Sequence, residues 1–178
     1  LNLGGYLVDC PHRERLGYGD GQVGVESLMM NCNAAAFYAK WATDWLAAQN
    51  PSTGEIPYTA PKFCDSGGGP GWGGAGCVLP WKLYLHYGDR RLLERAYEPM
   101  RRYVEFLESK CTNDVLRRYG GDWDFIGDWV PPGRGMDTSN WPPKPAAELF
   151  NNAYRLHLWD QLARAAAALG RAEEAQRC

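Results

Sequence analysis

The chain has 178 residues, of which 45% are hydrophobic and 22% charged, and its formal net charge is -2 at pH 7. The 19 basic residues are interleaved with 21 acidic ones, so there is no basic stripe to neutralise phosphates, and we expect no nucleic-acid partner. No apolar run is long enough to cross a bilayer, so we expect no membrane partner either. Because the sequence lacks an initial methionine and stops within a helical pattern, we expect residues 1–178 to be a single partial domain from a larger multidomain chain.

The first informative segment, residues 9–20, reads Asp-Cys-Pro-His-Arg-Glu-Arg-Leu-Gly-Tyr-Gly-Asp. It follows neither the period of a helix nor that of a strand, and its density of charge predicts a loop that carries a site. Glu14 lies between Arg13 and Arg15, with Asp9 and Asp20 close in sequence, and the pattern predicts that one of these three carboxyls is a general acid, whose pKa must be raised by burial or by a like charge. A salt-bridged structural loop is an equally good interpretation of the charge pattern alone.

Apolar residues recur at helical spacing in four long segments, and we predict helices over residues 23–49, 75–87, 90–110 and 145–169. Long loops rich in glycine and aromatic residues are expected over 50–74 and 113–144. Asp89 is the expected N-cap of the third helix. Strands are expected only as short pieces near residues 6–8 and 122–126.

Short glycine corners join the predicted helices at Gly88-Asp89 and at Gly170-Arg171, whereas long loops separate the other elements. Short turns at one end and long loops at the other are typical of a ring of antiparallel helix pairs. We therefore predict an all-α fold, a toroid of helical hairpins.

The chain has eight tryptophans and ten tyrosines, and several of these rings lie in glycine- or proline-rich loops. An exposed ring can stack on the apolar C–H face of a sugar while a nearby carboxylate binds hydroxyls. The loop rings of this kind are Tyr18, Trp72, Trp123, Trp129 and Trp141. Of these, Trp141 is expected instead to fill the floor of the toroid, and Trp123 is the second candidate for that role. Asp128 places a hydroxyl acceptor directly beside Trp129.

No metal or other cofactor is expected. The three histidines, His12, His86 and His157, have no spacing that places two of them on one helical face with a carboxylate, and we expect His86 and His157 to be core or boundary residues. The six cysteines fit no zinc pattern and are expected to be small buried residues. A pairing of Cys64 with Cys77 is the alternative in an oxidising compartment.

Residues 9–20 resemble the signature of the family 78 α-L-rhamnosidases. Later motifs occur in the family's order, namely Gly71-Trp72-Gly73-Gly74-Ala75, Pro80-Trp81, Tyr87-Gly88-Asp89, Gly127-Asp128-Trp129 and Asn152-Ala153-Tyr154. The resemblance implies an (α/α)6 barrel, of which about half is present. It also implies a catalytic domain that removes terminal α-L-rhamnose from a glycoside or polysaccharide with inversion of configuration at the anomeric carbon.

The resemblance also implies roles for individual residues, with Glu14 as the general acid. The residues it implies for rhamnose binding are Asp9, Arg13, Asp20 and Asp128 for the hydroxyls and Tyr18, Trp72 and Trp129 for the walls of the sugar site. The sequence departs from the family pattern in three places: the first motif is one residue shorter before Asp20, Tyr18 replaces a common tryptophan, and Gly74 replaces a frequent aspartate.

An inverting mechanism needs a second carboxylate to activate water, roughly 6.5 to 9.5 Å from the acid. In the family that base lies beyond Leu169, so the chain is expected to carry only the acid half of the site and to be inactive alone. Glu148 is not a substitute, because the helix dipole explains a glutamate near a helix start. Two alternatives remain open, a non-catalytic sugar-binding protein and an (α/α)6 glycosidase that acts on another sugar.

Overall fold

A computed structural model describes residues 17–62, 69–121, 124–127 and 144–177, without the side chains of residues 17, 18, 20, 144 and 145. These residues form seven α-helices: α1 Val25–Asn31, α2 Ala35–Ala48, α3 Pro70–Gly73, α4 Ala75–Tyr87, α5 Arg90–Glu108, α6 Lys144–Ala168 and α7 Ala172–Arg177. A 3-10 helix covers Gly19–Val23, and four strands of two residues are β1 Gly17–Tyr18, β2 Thr59–Ala60, β3 Cys111–Thr112 and β4 Val115–Leu116. The prediction of an all-α fold is confirmed.

Helices α4 and α5 form a hairpin around the first glycine corner. Gly88 closes α4 in the left-handed region, with φ of 69°, where glycine carries no steric penalty. Asp89 then begins α5, as predicted, because its Oδ1 accepts a hydrogen bond from the backbone N–H of Leu92 at 3.1 Å. The apolar row of α5 is fully buried at Leu93, Tyr97, Met100, Val104 and Leu107.

Helix α6 ends at the second corner, where Gly170 has φ of 79°, and α7 follows. The bounds of α6 agree with the predicted helix to within one residue at each end. Its buried face includes Leu158, Leu162 and Ala165, as predicted. His157 lies at the edge of this face, as expected for a boundary residue, because its ring contacts the buried Gln161 and partial burial lowers its pKa.

The predicted long helix over 23–49 is wrong in one respect, since it is two helices separated at Cys32. Cys32 is extended, with φ of -135° and ψ of 149°. Asn31 and Asn33 flank it, and the Nδ2 of Asn31 donates to the Ser27 carbonyl at 2.7 Å. Asparagine side chains compete with the helical backbone in this way, which explains the break.

The strand prediction near 122–126 is also wrong for the part that is described, since residues 124–126 form no strand. The Oδ2 of Asp124 accepts a hydrogen bond from the backbone N–H of Gly121, which makes this segment a turn. The strands that do form are antiparallel pairs, β1 with β2 and β3 with β4. Residues 6–8 lie outside the described residues.

Helix α4 is the centre of the core and contacts α2, α5 and α6. Every residue from 75 to 81 is buried, so the start of this helix is enclosed on all sides. Pro80 lies within the helix rather than in its first turn. Close packing here requires glycine at position 76, because a Cβ at this residue would lie 2.6 Å from the Cδ1 of Ile56. Within the described residues, no helix is both long and apolar enough to span a membrane.

Candidate active site

The residues proposed from sequence for the sugar site divide into three groups. Those outside the described residues are Asp9, Arg13, Glu14, Asp128 and Trp129. Tyr18 and Asp20 are described by their backbone alone, and Trp72 is described in full. The structure therefore describes the chain segments to which these residues are attached, namely residues 17–22, 69–74 and 124–127 and the start of α6.

The end of the first motif is attached to the chain segment before α3. Gly17 pairs with Ala60 and Tyr18 with Thr59, and the next backbone N–H, that of Gly19, donates to the Tyr58 carbonyl at 2.8 Å. Strand β2 is in turn fixed to α2, because the indole N–H of Trp41 donates to the Ala60 carbonyl at 3.1 Å. The acidic segment thus reaches the fold through a short sheet and not through a free loop.

The same motif end packs directly on the turn that carries Trp72. A Cβ on Gly19 would lie 1.9 Å from the carbonyl oxygen of Trp72, so only glycine permits this approach. Three residues further on, the buried Gln22 donates from Nε2 to the Gly71 carbonyl at 2.7 Å. Segment 17–22 and the Trp72 turn, which belong to separate predicted motifs, are therefore in contact.

Trp72 lies in the short helix α3, whose first residue is Pro70. The preceding residue, Gly69, has a positive φ of 74°. Its half-buried ring packs against Phe150 of α6, with ring centroids 5.9 Å apart and planes inclined by 44°. Phe150 also covers Gly71, where a Cβ would lie 2.4 Å from its Cε1. The position of Trp72 is therefore set by α6 as well as by its own turn.

The segment that leads into Asp128 and Trp129 meets α6 at the next residue, Asn151. The Nδ2 of this buried side chain donates to the Ile126 carbonyl at 3.0 Å and to the Ala147 carbonyl at 2.8 Å. Residues 125–127 are themselves buried. Three chain segments, each adjoining predicted site residues, thus converge near the first turns of α6.

Acidic and phenolic groups lie behind this frame. Burial, together with the charge of Asp124, raises the pKa of Glu55. Burial also raises the pKa of Tyr119 and of Tyr103, and the charge of Glu55 adds to both effects. The hydroxyl of Tyr103 is buried and has no hydrogen-bond partner among the described residues. This region favours neutral side chains beneath the Trp72 turn, where Ile56, next to Glu55, packs against Gly73 and Gly76.

Glu148 has a partner that the sequence interpretation did not foresee. Its Oε2 accepts a hydrogen bond from the Nη1 of Arg117 at 2.9 Å, so an ion pair, and not the helix dipole alone, accounts for this glutamate. Four residues on, Asn152 binds both the N–H and the carbonyl of Leu116. This side of α6 therefore contacts the β3–β4 hairpin, whereas Phe150 and Asn151 contact the site segments.

Sequence reasoning missed Gln22, Phe150 and Asn151. Each acts through a partner distant in sequence, so no local motif marks it. The one available signal was at Asn151-Asn152, two adjacent polar residues in a helix whose other buried positions are apolar apart from Gln161.

Within the described part of the chain, no group of three or more His, Cys, Asp or Glu side chains is arranged to hold a metal ion. Cys32, Cys77 and Cys111 are free thiols. Cys77 is fully buried, as expected for a small core residue, and burial raises its pKa. Cys64 lies outside the described residues.

A scaffold of helical hairpins, with glycine and aromatic segments gathered where α4 and α6 begin, defines a helical-toroid glycosidase domain. The chain belongs to the bacterial α-L-rhamnosidase six-hairpin glycosidase domain family, whose model matches residues 1–178. The chain is 36% identical over 167 residues to an α-L-rhamnosidase of Streptomyces avermitilis, covering 92% of this chain and 15% of that protein. It is 29% identical over 170 residues to an α-L-rhamnosidase of Formosa agariphila, covering 94% of this chain and 18% of that protein.

Solved structures agree with this membership. The α-L-rhamnosidase structure from Dictyoglumus thermophilum superposes with a TM-score of 0.80 at 30% identity, over 93% of this chain and 18% of that one. The Streptomyces avermitilis α-L-rhamnosidase complexed with L-rhamnose superposes with a TM-score of 0.69 at 31% identity, over 88% of this chain and 14% of that one. The chain spans less than a fifth of the length of these relatives.

Proposed function

We propose that the full-length gene product releases terminal α-L-rhamnose from a glycoside or polysaccharide, and that residues 1–178 form the part of its catalytic domain that carries the general acid. The observation that carries this proposal is the contact of the first-motif end with the Trp72 turn. Gly19 packs on the Trp72 main chain, so the segment that bears the proposed acid adjoins a proposed wall of the sugar site.

In the proposed mechanism, Glu14 is protonated in the resting enzyme and gives its proton to the glycosidic oxygen as the bond to the anomeric carbon breaks. A water molecule attacks the opposite face of the sugar and loses its proton to a carboxylate base. That base would come from sequence beyond these 178 residues, which agrees with the small share of each relative that the chain covers.

The remaining assignments concern substrate binding. We propose that Asp9, Arg13, Asp20 and Asp128 hold the rhamnose hydroxyls and that Tyr18, Trp72 and Trp129 form the walls. Charged hydrogen-bonding groups beside flat rings suit a sugar that has polar edges and an apolar C–H face.

The central experiment compares the wild-type full-length gene product with Glu14→Gln on p-nitrophenyl α-L-rhamnoside. We expect the variant to lose turnover while it still binds L-rhamnose, because glutamine keeps the shape of the side chain and lacks the acidic proton. A matched control is Glu173→Gln, since the Glu173 side chain is 90% exposed on α7. Full activity of Glu14→Gln would show that another residue is the acid.

Three further readouts test the inverting mechanism and separate the alternative functions. Proton NMR of the first product should show the β anomer of rhamnose, because an inverting enzyme changes the configuration of an α-linked sugar. Wild-type protein that binds rhamnose without cleaving the rhamnoside would indicate a sugar-binding protein. Cleavage of an α-glucoside but not of the rhamnoside would indicate a glycosidase of another specificity.

A further inference from the structure

We propose that Asn151 is a positioning residue, which fixes the segment leading to Asp128 and Trp129 relative to the turn that carries Trp72. This inference rests on the proposed function, since it assigns those three residues to one sugar site. Asn151 itself is fully buried and touches no substrate in this proposal.

The first observation is the set of hydrogen bonds that Asn151 makes. Its Nδ2 donates both to the Ala147 carbonyl, within α6, and to the Ile126 carbonyl, which lies two residues before Asp128. The bond within the helix fixes the orientation of the amide, and the other bond then holds the loop. Gly127, the one residue between Ile126 and Asp128, is buried as well.

The second observation is the contact of the same amide with Gly69. A Cβ on Gly69 would lie 2.7 Å from the Oδ1 of Asn151 and 3.3 Å from the Asp124 carbonyl oxygen. Gly69 is the residue from which α3 begins, three positions before Trp72. The Asn151 amide therefore lies between Gly69 and Ile126, and it sets the distance between the segment that leads to Trp72 and residues 124–127.

The third observation is that the two ends of the Asn151 amide differ, since only the Nδ2 has hydrogen-bond partners among the described residues. The Oδ1 of Asn151 is buried and has no hydrogen-bond donor among the described residues. A buried acceptor without a partner carries a desolvation penalty, and an apolar residue would avoid it only by leaving the Ile126 carbonyl without its Nδ2 donor. An amide at this position is therefore better explained by the loop geometry that it enforces than by packing.

The adjacent residue offers a matched control. Asn152 makes the same bond to a carbonyl four residues earlier, Glu148, and holds another loop through the N–H and carbonyl of Leu116. That loop belongs to the β3–β4 hairpin and not to the site segments. The two asparagines thus have equivalent structural roles, and only one of them is proposed to act on the sugar site.

The test uses serine variants of both residues in the full-length gene product. A serine within a helix can hydrogen-bond the carbonyl four residues earlier, so Asn151→Ser keeps a bond to Ala147 and loses the bond to Ile126. We expect Asn151→Ser to lower kcat/KM on p-nitrophenyl α-L-rhamnoside by about tenfold or more and to weaken L-rhamnose binding, because misplaced binding groups reduce both. Asn152→Ser should leave both quantities within about twofold of wild type, measured where all the variants are folded.

A pH profile and hydrogen exchange make the test independent of overall stability. The pKa that governs the alkaline limb of kcat/KM should be unchanged in Asn151→Ser, because residues 17–22, which adjoin the Glu14 segment, are attached through β2 and the main chain of the Trp72 turn and not through Asn151. Amide exchange of residues 125–127 should accelerate in Asn151→Ser and not in Asn152→Ser. Asn151→Leu is the second variant, to be used if the serine variant does not fold.

Wild-type kcat/KM and unchanged exchange in a folded Asn151 variant would overturn the inference, as would equal losses in the Asn152 variant. Failure of the proposed function would look different, since wild-type protein would then not cleave the rhamnoside. In that case the exchange measurement alone decides whether Asn151 holds residues 125–127.

Discussion

Arg90 is joined to Ala168 across 2.7 Å, with the Nη1 of the arginine as donor and the carbonyl oxygen of Ala168 as acceptor. The Nη2 of the same guanidinium donates to the Leu169 carbonyl at 3.2 Å. Arg90 begins α5 and Ala168 ends α6, so the two glycine corners lie side by side at one end of the fold. Helices α4 and α6 consequently run in the same direction, and the site segments are gathered where both begin.

We expect Arg90→Ala to destabilise the protein by about 0.5 to 1.5 kcal/mol, because the last carbonyls of a helix lack partners within it and Arg90 supplies them for α6. The positive charge of Arg90 also interacts favourably with the negative end of the α6 dipole. The effect is limited by solvent, since the Arg90 side chain is 51% exposed. Urea unfolding measures it. Arg91→Ala, at an exposed neighbouring position, is the control, and equal effects of the two variants would contradict the prediction.

We expect Gly19→Ala to lower both stability and rhamnoside hydrolysis. The added methyl group would lie 1.9 Å from the Trp72 carbonyl oxygen, so the main chain has to move by an ångström or more. Shifts of this size at a reacting site lower activity by about a hundredfold. Gly24→Ala is the matched control, because its Cβ would have no neighbour closer than 4.0 Å. Kinetics and thermal unfolding of the two variants should therefore differ clearly, and a Gly19→Ala protein with normal kinetics would contradict the observed packing.

The half-buried carboxyl of Glu55 should reduce stability as pH rises. Burial raises its folded-state pKa above the ordinary value of 4.5, so the folded protein holds this proton more tightly than the unfolded chain does. The contribution of Glu55 to stability is therefore present below pH 4.5 and is lost as the pH rises through the folded-state pKa.

We expect Glu55→Gln to be more stable than wild type at pH 7, with a difference that shrinks toward pH 4, because glutamine does not ionise. Urea unfolding at intervals of pH measures this difference. Glu173→Gln, at an exposed site on α7, should show no such trend. A difference that does not vary with pH would refute the prediction.

Glu108 should show the opposite dependence. Burial opposes its ionisation, but hydrogen bonds from Arg155 and Trp159 lower its pKa overall. Its stabilising contribution is therefore present above the unfolded-state pKa and is lost as the pH falls through the folded-state value.

Glu108→Gln should destabilise the protein by about 1 to 2 kcal/mol at pH 7, and less at pH 3, because glutamine weakens the two hydrogen bonds that the Arg155 guanidinium makes to the carboxylate. Asp160→Asn removes an exposed ion pair with Arg164 on α6, the helix that carries Arg155, and should change stability by less than about 0.5 kcal/mol. Chemical unfolding of both variants at the two pH values provides the comparison. A Glu108→Gln loss that is the same at pH 3 and pH 7 would argue against a depressed pKa.

The hairpin helices were predictable because their ends are coded locally. Gly88, Asp89 and Gly170 mark the ends of α4, α5 and α6 through backbone conformations and a capping bond that depend on neighbouring residues alone. The break at Cys32 was missed because the apolar spacing continues across it, and periodicity does not register the two flanking asparagines. The contacts of Gln22, Phe150 and Asn151 join positions far apart in sequence, and such contacts are set by packing, which a single sequence does not display.

The placement of Gly19 against the Trp72 main chain has a consequence for how such a domain diversifies. The contact with Gly19 is made by the backbone of residue 72, so that contact does not require a particular side chain there. If Trp72 forms a wall of the sugar site, as proposed, a lineage that exchanges this ring for another that still packs on Phe150 would select a different sugar while residues 17–22 keep their contact. Selectivity and proton delivery would then be separately inheritable traits of one scaffold.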